Sequence, residues 1–367
     1  MGKHWVRRTT KTIFLFVNIF IGLLFLIACL SPYINPNDIW LHGFMSLMTP
    51  YLIVLLILFI LLWLISNPVW ALLPFLCLVV GFKQVAVVFA WHGNSGYSKR
   101  KLENNIRIVD WNVQGFNGLT KDVNAKKLVR NEVASSILKT HPDIICLQEF
   151  NSAASENNIA LFTATHPFYY FSADHKGRLS DYKSGCIIFS KYPIINSGKI
   201  DFPSEESLIY TDLLKGLDTI RIFTTHLQSF KFKREDYADI QKIKASDEAS
   251  IHASIGIMRK MKAAYKKRGV QTNMVVKELE KSPYPFLICG DFNDVPNSYA
   301  YFNIRGDRQD AFLKKGFGIG RSFISLAPTL RIDYILPDNH FEVKQFDMID
   351  EQLSDHIMLL ADIRLKK

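Results

Sequence analysis

Hydrophobic and polar positions divide this chain into two parts with different periods. In the first, apolar residues run on without any period: Ile13 to Leu30, Leu47 to Ile65 and Val69 to Trp91, with Lys83 the one charge inside them. Each run comes close to the roughly 20 residues that cross a hydrocarbon core of about 30 Å. They predict a membrane region over 1–92 with three transmembrane helices, at about 13–30, 47–65 and 69–91, then a polar linker over 93–103.

From residue 104 to 367 the pattern alternates and breaks. Ile106 to Val113 alternates as a strand. Lys126 to Lys139 sets Leu128, Val129, Val133, Ile137 and Leu138 near helical spacing, and Ile144 to Leu147 is a strand again after His141-Pro142. Strand, helix, strand predicts layered α/β architecture. Ser184 to Ser190 and Thr219 to Leu227 then read as strands without a helix between them, which favours antiparallel pairing. Glu235 to Lys281 reads as a helical insert with Ile251, Ile255, Met258, Met261 and Ala264 as its apolar face. Three strands follow: Pro285 to Ile288, Leu330 to Leu336 and Ile357 to Ile363.

Charge sharpens this division. Up to Tyr97 the basic residues are Lys3, Arg7, Arg8, Lys11 and Lys83 and the one acid is Asp38, which leaves 39 basic against 33 acidic residues in the remainder. That mild surplus is modest for a protein that grips a phosphate backbone. The basic N-terminus favours the cytoplasm, so three crossings of the cytoplasmic membrane would deliver the second part outside it. Lys99, Arg100 and Lys101 argue the other way. The five cysteines show no metal-binding spacing, and three in the second part leave one over from any disulfide framework.

The strand ends carry the chemistry. Asn112 ends one strand, Gln148 and Glu149 another, and His226 a third; Asp291 and Asn293 close the fourth inside CGDFNDVPNS. Arg331 and Asp333 lie in the fifth, and Asp355-His356 precedes the sixth. Each alone has a plain structural explanation, such as a turn or a paired core residue. Together they are costly unless paired or metal-bound, because charged groups near sheet ends lose hydration. Hard oxygen ligands suit Mg²⁺ or Mn²⁺. A divalent ion beside histidines and carboxylates is what phosphoester hydrolysis requires.

In order, Trp111-Asn112, Leu147-Gln148-Glu149, Ser184-Gly185 to Pro193, Thr225-His226-Leu227, Gly290-Asp291-Phe292-Asn293, Arg331-Ile332-Asp333-Tyr334 and Ser354-Asp355-His356 resemble the motifs of the endonuclease/exonuclease/phosphatase superfamily. The resemblance implies a four-layer α/β sandwich, two mixed β-sheets flanked by helices, with an active site at one rim. It implies Glu149 as principal Mg²⁺ ligand, with Asn112 and Asp355 completing or supporting the metal site. Asp291 would orient or deprotonate water, and Asn293 would bind a phosphoryl oxygen. His356, held by Asp333, would stabilise the transition-state charge or move a proton. His226 would meet the phosphate from the other side, and Arg331 would contact substrate.

The expectation is a membrane-anchored phosphohydrolase whose partners are the bilayer and a phosphate ester: a lipid head group, a lipid-linked pyrophosphate or nucleic acid. No protein partner is predicted. A nuclease is the competing enzyme reading, and an inactive binding module the third. The aromatic run Phe168 to Phe171 serves a lipid or base platform and a buried strand equally well.

Overall fold

The computed structural model describes residues 2–92, 98, 100–117, 119, 123–177, 181–244 and 250–366, so most of the linker expected at 93–103 lies outside the described residues. The apolar part is helical. α1 (Gly2–Ala28) and α2 (Leu41–Ser66) pack antiparallel, with Phe25 and Ala28 against Leu52 and Leu56 at one end and Leu15 beside Phe59 and Trp63 at the other. Both are long and apolar enough to cross a bilayer. Their outer faces leave Phe16, Phe20, Leu58 and Leu61 more than half exposed, a costly arrangement in water.

The third apolar run departs from expectation. It is not one helix over 69–91 but a 3₁₀ turn (Pro68–Ala71), α3 (Leu72–Val80) and a single turn, α4 (Phe82–Val85). Pro68 and Pro74 withhold backbone donors, and Gly81 breaks the segment where Phe25 and Cys29 leave no room for a Cβ. The segment nevertheless returns along α1: Cys77 lies against Gly22, and Gln84 Nε2 donates to the Cys29 carbonyl at 3.1 Å. Beyond α4, Val87 and Ala90 are already part of the sandwich cores.

The sandwich begins with β1 (Ala90–Trp91), β2 (Ile106–Asn112), α5 (Val123–Lys139), β3 (Ile144–Ser152), α6 (Ala160–Thr163), β4 (Phe168–Phe171), β5 (His175–Lys176) and β6 (Lys183–Ser190). Next come β7 (Ile194–Asp201), β8 (Ser207–Lys215), β9 (Asp218–His226), α7 (Arg234–Lys244), α8 (Ser250–Leu279) and β10 (Phe286–Asp291). It ends with α9 (Tyr299–Arg305), α10 (Ala311–Lys315), β11 (Phe317–Gly318), β12 (Asp333–Pro337), β13 (Phe341–Ile349) and β14 (Met358–Leu365). One sheet runs β13-β14-β2-β3-β6-β4, with β5 beside β6; the other runs β12-β10-β9-β8-β7; and β1 pairs with β11. Both large sheets are mixed, because β2 and β3, like β9 and β10, are parallel.

The strands are apolar on both faces because both faces are covered. Ile108, Cys146, Ile188, Ile222, Leu287 and Cys289 fill the space between the sheets. α5 and α6 cover the seven-stranded sheet through Val133, Ile137 and Phe162; α8 and α9 cover the other through Val275, Leu279, Tyr301 and Ile304. The result is the expected four-layer α/β sandwich. One polar bridge crosses the interface, where Gln148 Nε2 donates to Asp110 Oδ1 at 2.7 Å and to Thr224 Oγ1 at 3.0 Å. Burial, reinforced by Asp333, pushes the Asp110 carboxyl well above its ordinary range.

The insert is helical as expected, but its inward face is Ile257, Met261, Ala264 and Tyr265, while Ile255 and Met258 are exposed and the Ile251 side chain lies outside the described residues. What rotates the face is α2. Tyr265 covers the backbone of Gly43, where a Cβ would collide with its ring, and Phe44 and Leu47 pack against the same cluster. Further ties are Asn303 Nδ2 to the Pro32 carbonyl (3.0 Å) and Arg331 Nη2 to the Val87 carbonyl (3.0 Å). The helical part and the sandwich are thus fastened at several points.

Candidate active site

Strand register assembles the site. On the five-stranded sheet, Asp291 is opposite His226 on β9 and opposite Asp333 on β12, so the three side chains stand in a row at the strand ends. Two residues before Asp291, Cys289 points into the core between the sheets. Since side chains alternate along a strand, Asp291 points the same way, at the open rim of that core. Gly290 permits this: at φ +138° it lies so close to β9 that a Cβ would overlap the Thr225 carbonyl.

The facing sheet supplies the rest. Parallel pairing places Asn112 opposite Gln148, and a register break between Leu147 and Phe150 holds Glu149 at φ +49° with its carboxylate 43% exposed. Bulges re-aim side chains in this way. His356 is fixed through its backbone, whose carbonyl accepts Trp111 Nε1 at 2.8 Å and whose N–H donates to Ser354 Oγ at 3.2 Å.

Asp291 is the hub. Its Oδ1 accepts the Asn293 backbone N–H at 2.7 Å and its Oδ2 accepts Asn112 Nδ2 at 3.1 Å. His226 Nε2 and His356 Nε2 stand 3.5 and 3.7 Å from Oδ2. Burial, then the Asp333 charge, pushes Asp291 up to about 6, although both histidines pull it down. His356 Nδ1 faces Asp333 at 3.0 and 3.1 Å. Burial opposes its charge, but Asp333 and then Asp291 outweigh it and raise the imidazole to about 10. His226 also rises to about 10, against burial, through Glu206 at 3.4 Å and then Asp291 and Glu149.

Both rings are therefore imidazolium at neutral pH, and every ring N–H is a donor. His226 Nε2 is buried without a hydrogen-bond partner. Such an atom costs about 1–3 kcal/mol unless something accepts from it. With His356 Nε2 near the same Asp291 oxygen at a non-bonding distance, the pair offers two donors to one incoming oxygen. Asn293, at φ +52°, spends one amide hydrogen on the Leu227 carbonyl at 2.9 Å and keeps the other.

Five carboxylates (Glu149, Glu206, Asp291, Asp333, Asp355) stand around these two imidazoliums. Among the described residues Asp291, Asp333 and His356 lie close enough together to hold a metal ion, but both Asp333 oxygens are taken up by His356 Nδ1. Less engaged by the histidines are Glu149, whose Oε1 accepts Asn112 Nδ2, and Asp355, whose carboxyl is raised by burial and, against the pull of His356, by Glu149. Two hard carboxylates in a half-open cleft fit Mg²⁺ or Mn²⁺. Asn112 stands beside them: its Nδ2 lies between Glu149 (3.2 Å) and Asp291, and its Oδ1 accepts the Gln114 N–H at 3.1 Å.

Arg331 does not contact this site, contrary to expectation. It is buried, donates through Nη1 to Asp310 at 2.6 Å and lies over the rings of Phe312, Tyr334 and Tyr301. Its motif neighbour Asp333 is the first residue of β12 and faces the rim, whereas Arg331 precedes the strand and its side chain is not held to that face. Glu206, which holds His226, is absent from the expected set. Its signal was the β8–β9 register, with Leu208 opposite Thr225.

Glu149, Asp291, Asn293, Asp355 and His356 open on a cleft of about 290 Å³. Its remaining walls are Leu47 of α2, the 229–232 loop, Tyr237, and the Phe323, Leu326, Leu330 and Ile332 side chains. Lys231 is its one basic wall residue among the described residues, and its ammonium pairs with Glu205 at 2.7 Å. Phe168 to Phe171 form β4 at a sheet edge and take no part in the cleft.

A two-sheet sandwich with histidines and carboxylates gathered at its rim defines a hydrolase built for phosphate esters. Residues 111–356 match the model of the Endonuclease/Exonuclease/phosphatase family, and the chain belongs to that family. Residues 11–88 match a separate model described as a domain of unknown function, DUF8431. Similar solved structures include an endonuclease/exonuclease/phosphatase from Beutenbergia cavernae DSM 12333, with 17% identity over 72% of each chain and a TM-score of 0.52. The human Nocturnin catalytic domain with bound sulfate anion gives 17% identity over 72% of this chain and 94% of that one, TM-score 0.52. D. rerio TDP2 humanized by 14 mutations gives 16% over 71% and 100%, TM-score 0.50. At these identities the likeness is one of fold. Curated protein sequences give no match.

Proposed function

We propose that this protein is a membrane-anchored, divalent-metal-dependent hydrolase that acts on a phosphate or pyrophosphate carried by a lipid. The observation that carries the reading is that Leu47, a residue of the apolar helix α2, lines the same cleft as Glu149, Asp291 and His356. α2 has 26 residues, about 39 Å at 1.5 Å per residue, and exceeds a hydrocarbon core of about 30 Å. Counted back from Ser66, the roughly 20 residues needed to cross end at Leu47, so the cleft meets the bilayer surface. The single paired lysine in its walls disfavours a nucleic-acid backbone, which calls for several free cations.

The helix ends support an extracytoplasmic rim. Lys11 Nζ donates to the Ser66 carbonyl at 3.1 Å, at the bundle end remote from the sandwich. The basic N-terminus and the catalytic rim therefore lie on opposite sides, and the positive-inside rule assigns the rim to the extracytoplasmic face of the cytoplasmic membrane. Lys101, which argued otherwise, is taken up by Asp143.

Held by Glu149 and Asp355, a divalent cation supplies charge neutralisation on the phosphoryl group. The chain's own residues do the rest. His226 and His356 donate from Nε2 to phosphoryl oxygens, Asn293 donates its second amide hydrogen, and Asp291 takes the proton of the attacking water as the P–O bond to the leaving group breaks. A pyrophosphate releases a phosphate anion, and an ester releases its alcohol after a proton from a histidine reaches the leaving oxygen. Asn112 and the Asn293 backbone hold Asp291 in place for that transfer. Full-length protein in lipid nanodiscs with Mg²⁺ should release phosphate from polyprenyl pyrophosphate or phosphatidate, and Asp291→Asn should abolish it. Plasmid cleavage that Asp291→Asn removes, with no lipid phosphate released, would refute the lipid reading and establish the nuclease.

A further inference from the structure

Half of the cleft has no part in the chemistry described above. Leu47, Phe230, Phe232, Val295, Leu326 and Leu330 line it without offering a catalytic group. Phe230 and Phe232 stack at 5.1 Å, and Phe230 stands edge-on to Tyr265 at 5.4 Å, so this wall is anchored to the helix that clasps α2. On the opposite wall, Leu326 holds φ +70°. For a leucine that backbone costs about 1 kcal/mol, and such strain concentrates at ligand-binding segments. The cleft thus combines charged groups, an apolar lining and a residue of the apolar helix α2.

We propose that this lane seats the hydrocarbon chain of the substrate. The phosphate lies at Glu149 and His356, and the first carbons pass between Leu326 and Leu330 on one side and Phe230 and Phe232 on the other. The chain leaves past Leu47 into the bilayer alongside α2. Substrate thus enters sideways from the membrane, and Leu47 and Leu326 select for a chain. The inference rests on the reading of α2 as a spanning helix and of the rim as a phosphoester site.

The test is photolabelling of the full-length protein in nanodiscs with Mg²⁺, using dodecyl phosphate that carries a diazirine in its chain. Label should fall on the peptides holding Leu47 and residues 323–332, and excess inorganic phosphate should suppress it. Leu47→Gln and Leu326→Gln should each lower it about tenfold, the worth of one buried leucine contact. Label confined to the outer faces of α1 and α2, or label at the lane that phosphate does not displace, would overturn the proposal even if the enzyme hydrolyses lipid phosphates. Phosphate-sensitive label at the lane in a protein that releases no phosphate from any ester would instead uphold the lane and overturn the hydrolase reading.

Discussion

Asp333→Asn isolates one interaction, because the amide keeps the shape of the carboxylate and removes its charge. His356 is buried, and burial alone would lower its pKa; Asp333 is the leading cause that lifts it to about 10. A raised pKa means that the charge is fully present below the ordinary value of 6.5 and is lost as pH climbs through about 10. Without Asp333 the leading raising influence is gone, and with only Asp291 and Asp355 left against burial the ring moves down toward its ordinary value. At pH 8 a group with a pKa of 10 is about 99% protonated, and one at 6.5 about 3%, so the imidazolium population drops about thirtyfold. The assay is kcat/KM against pH on a soluble phosphodiester with saturating Mg²⁺. The wild type should hold its rate to about pH 9 before falling, whereas the variant should be down about thirtyfold at pH 8 and only a few-fold at pH 6. Equal loss at every pH, or a basic limb that stays near pH 10, would refute the assignment of that proton to His356.

Glu149→Ala should lower kcat/KM at least about a hundredfold and weaken Mg²⁺ binding by calorimetry, with the melting temperature little changed because the carboxylate is 43% exposed. Arg331→Met leaves Asp310 buried without its partner and should cost about 3–5 kcal/mol in denaturant unfolding, while KM at a permissive temperature stays as in the wild type. Deleting residues 1–92 removes the Val87 carbonyl from Arg331 and uncovers Met261 and Tyr265. The truncated sandwich should melt lower than the full chain and bind a hydrophobic dye, and equal melting would count against that docking.

Much of this site was legible because strand ends are punctuated in sequence: an apolar run that stops in Asp, Asn, Glu or His marks a rim wherever the fold brings the ends together. Asn112, Glu149, His226, Asp291, Asn293, Asp333, Asp355 and His356 were read in that way, and all stand at one rim. Arg331 failed because it stands before β12, outside the strand that orients Asp333, so its guanidinium turns to Asp310 while Asp333 meets His356. Glu206 was hidden in a polar turn, and only strand register reveals that it meets His226. The third apolar run was read by length, whereas its prolines, Gly81 and the demand of the sandwich for Val87 and Ala90 decided its course. Leu47 could not be read at all, since its contact with the cleft exists only after a helix from one part docks on the other.

That docking governs how the proposed enzyme would meet its substrate. Gln84 and Val87 are fastened to Asn297 and Arg331, so the catalytic rim stands at one height and one tilt over the apolar helices. A domain on a slack tether sweeps a volume; this one, anchored as proposed, would patrol a plane. Encounter would then be a two-dimensional search by lateral diffusion, and turnover would follow the mole fraction of substrate among the surrounding lipids. Diluting the bilayer with inert lipid at constant bulk substrate would slow the reaction, a kinetic signature that a freely swinging domain would not share.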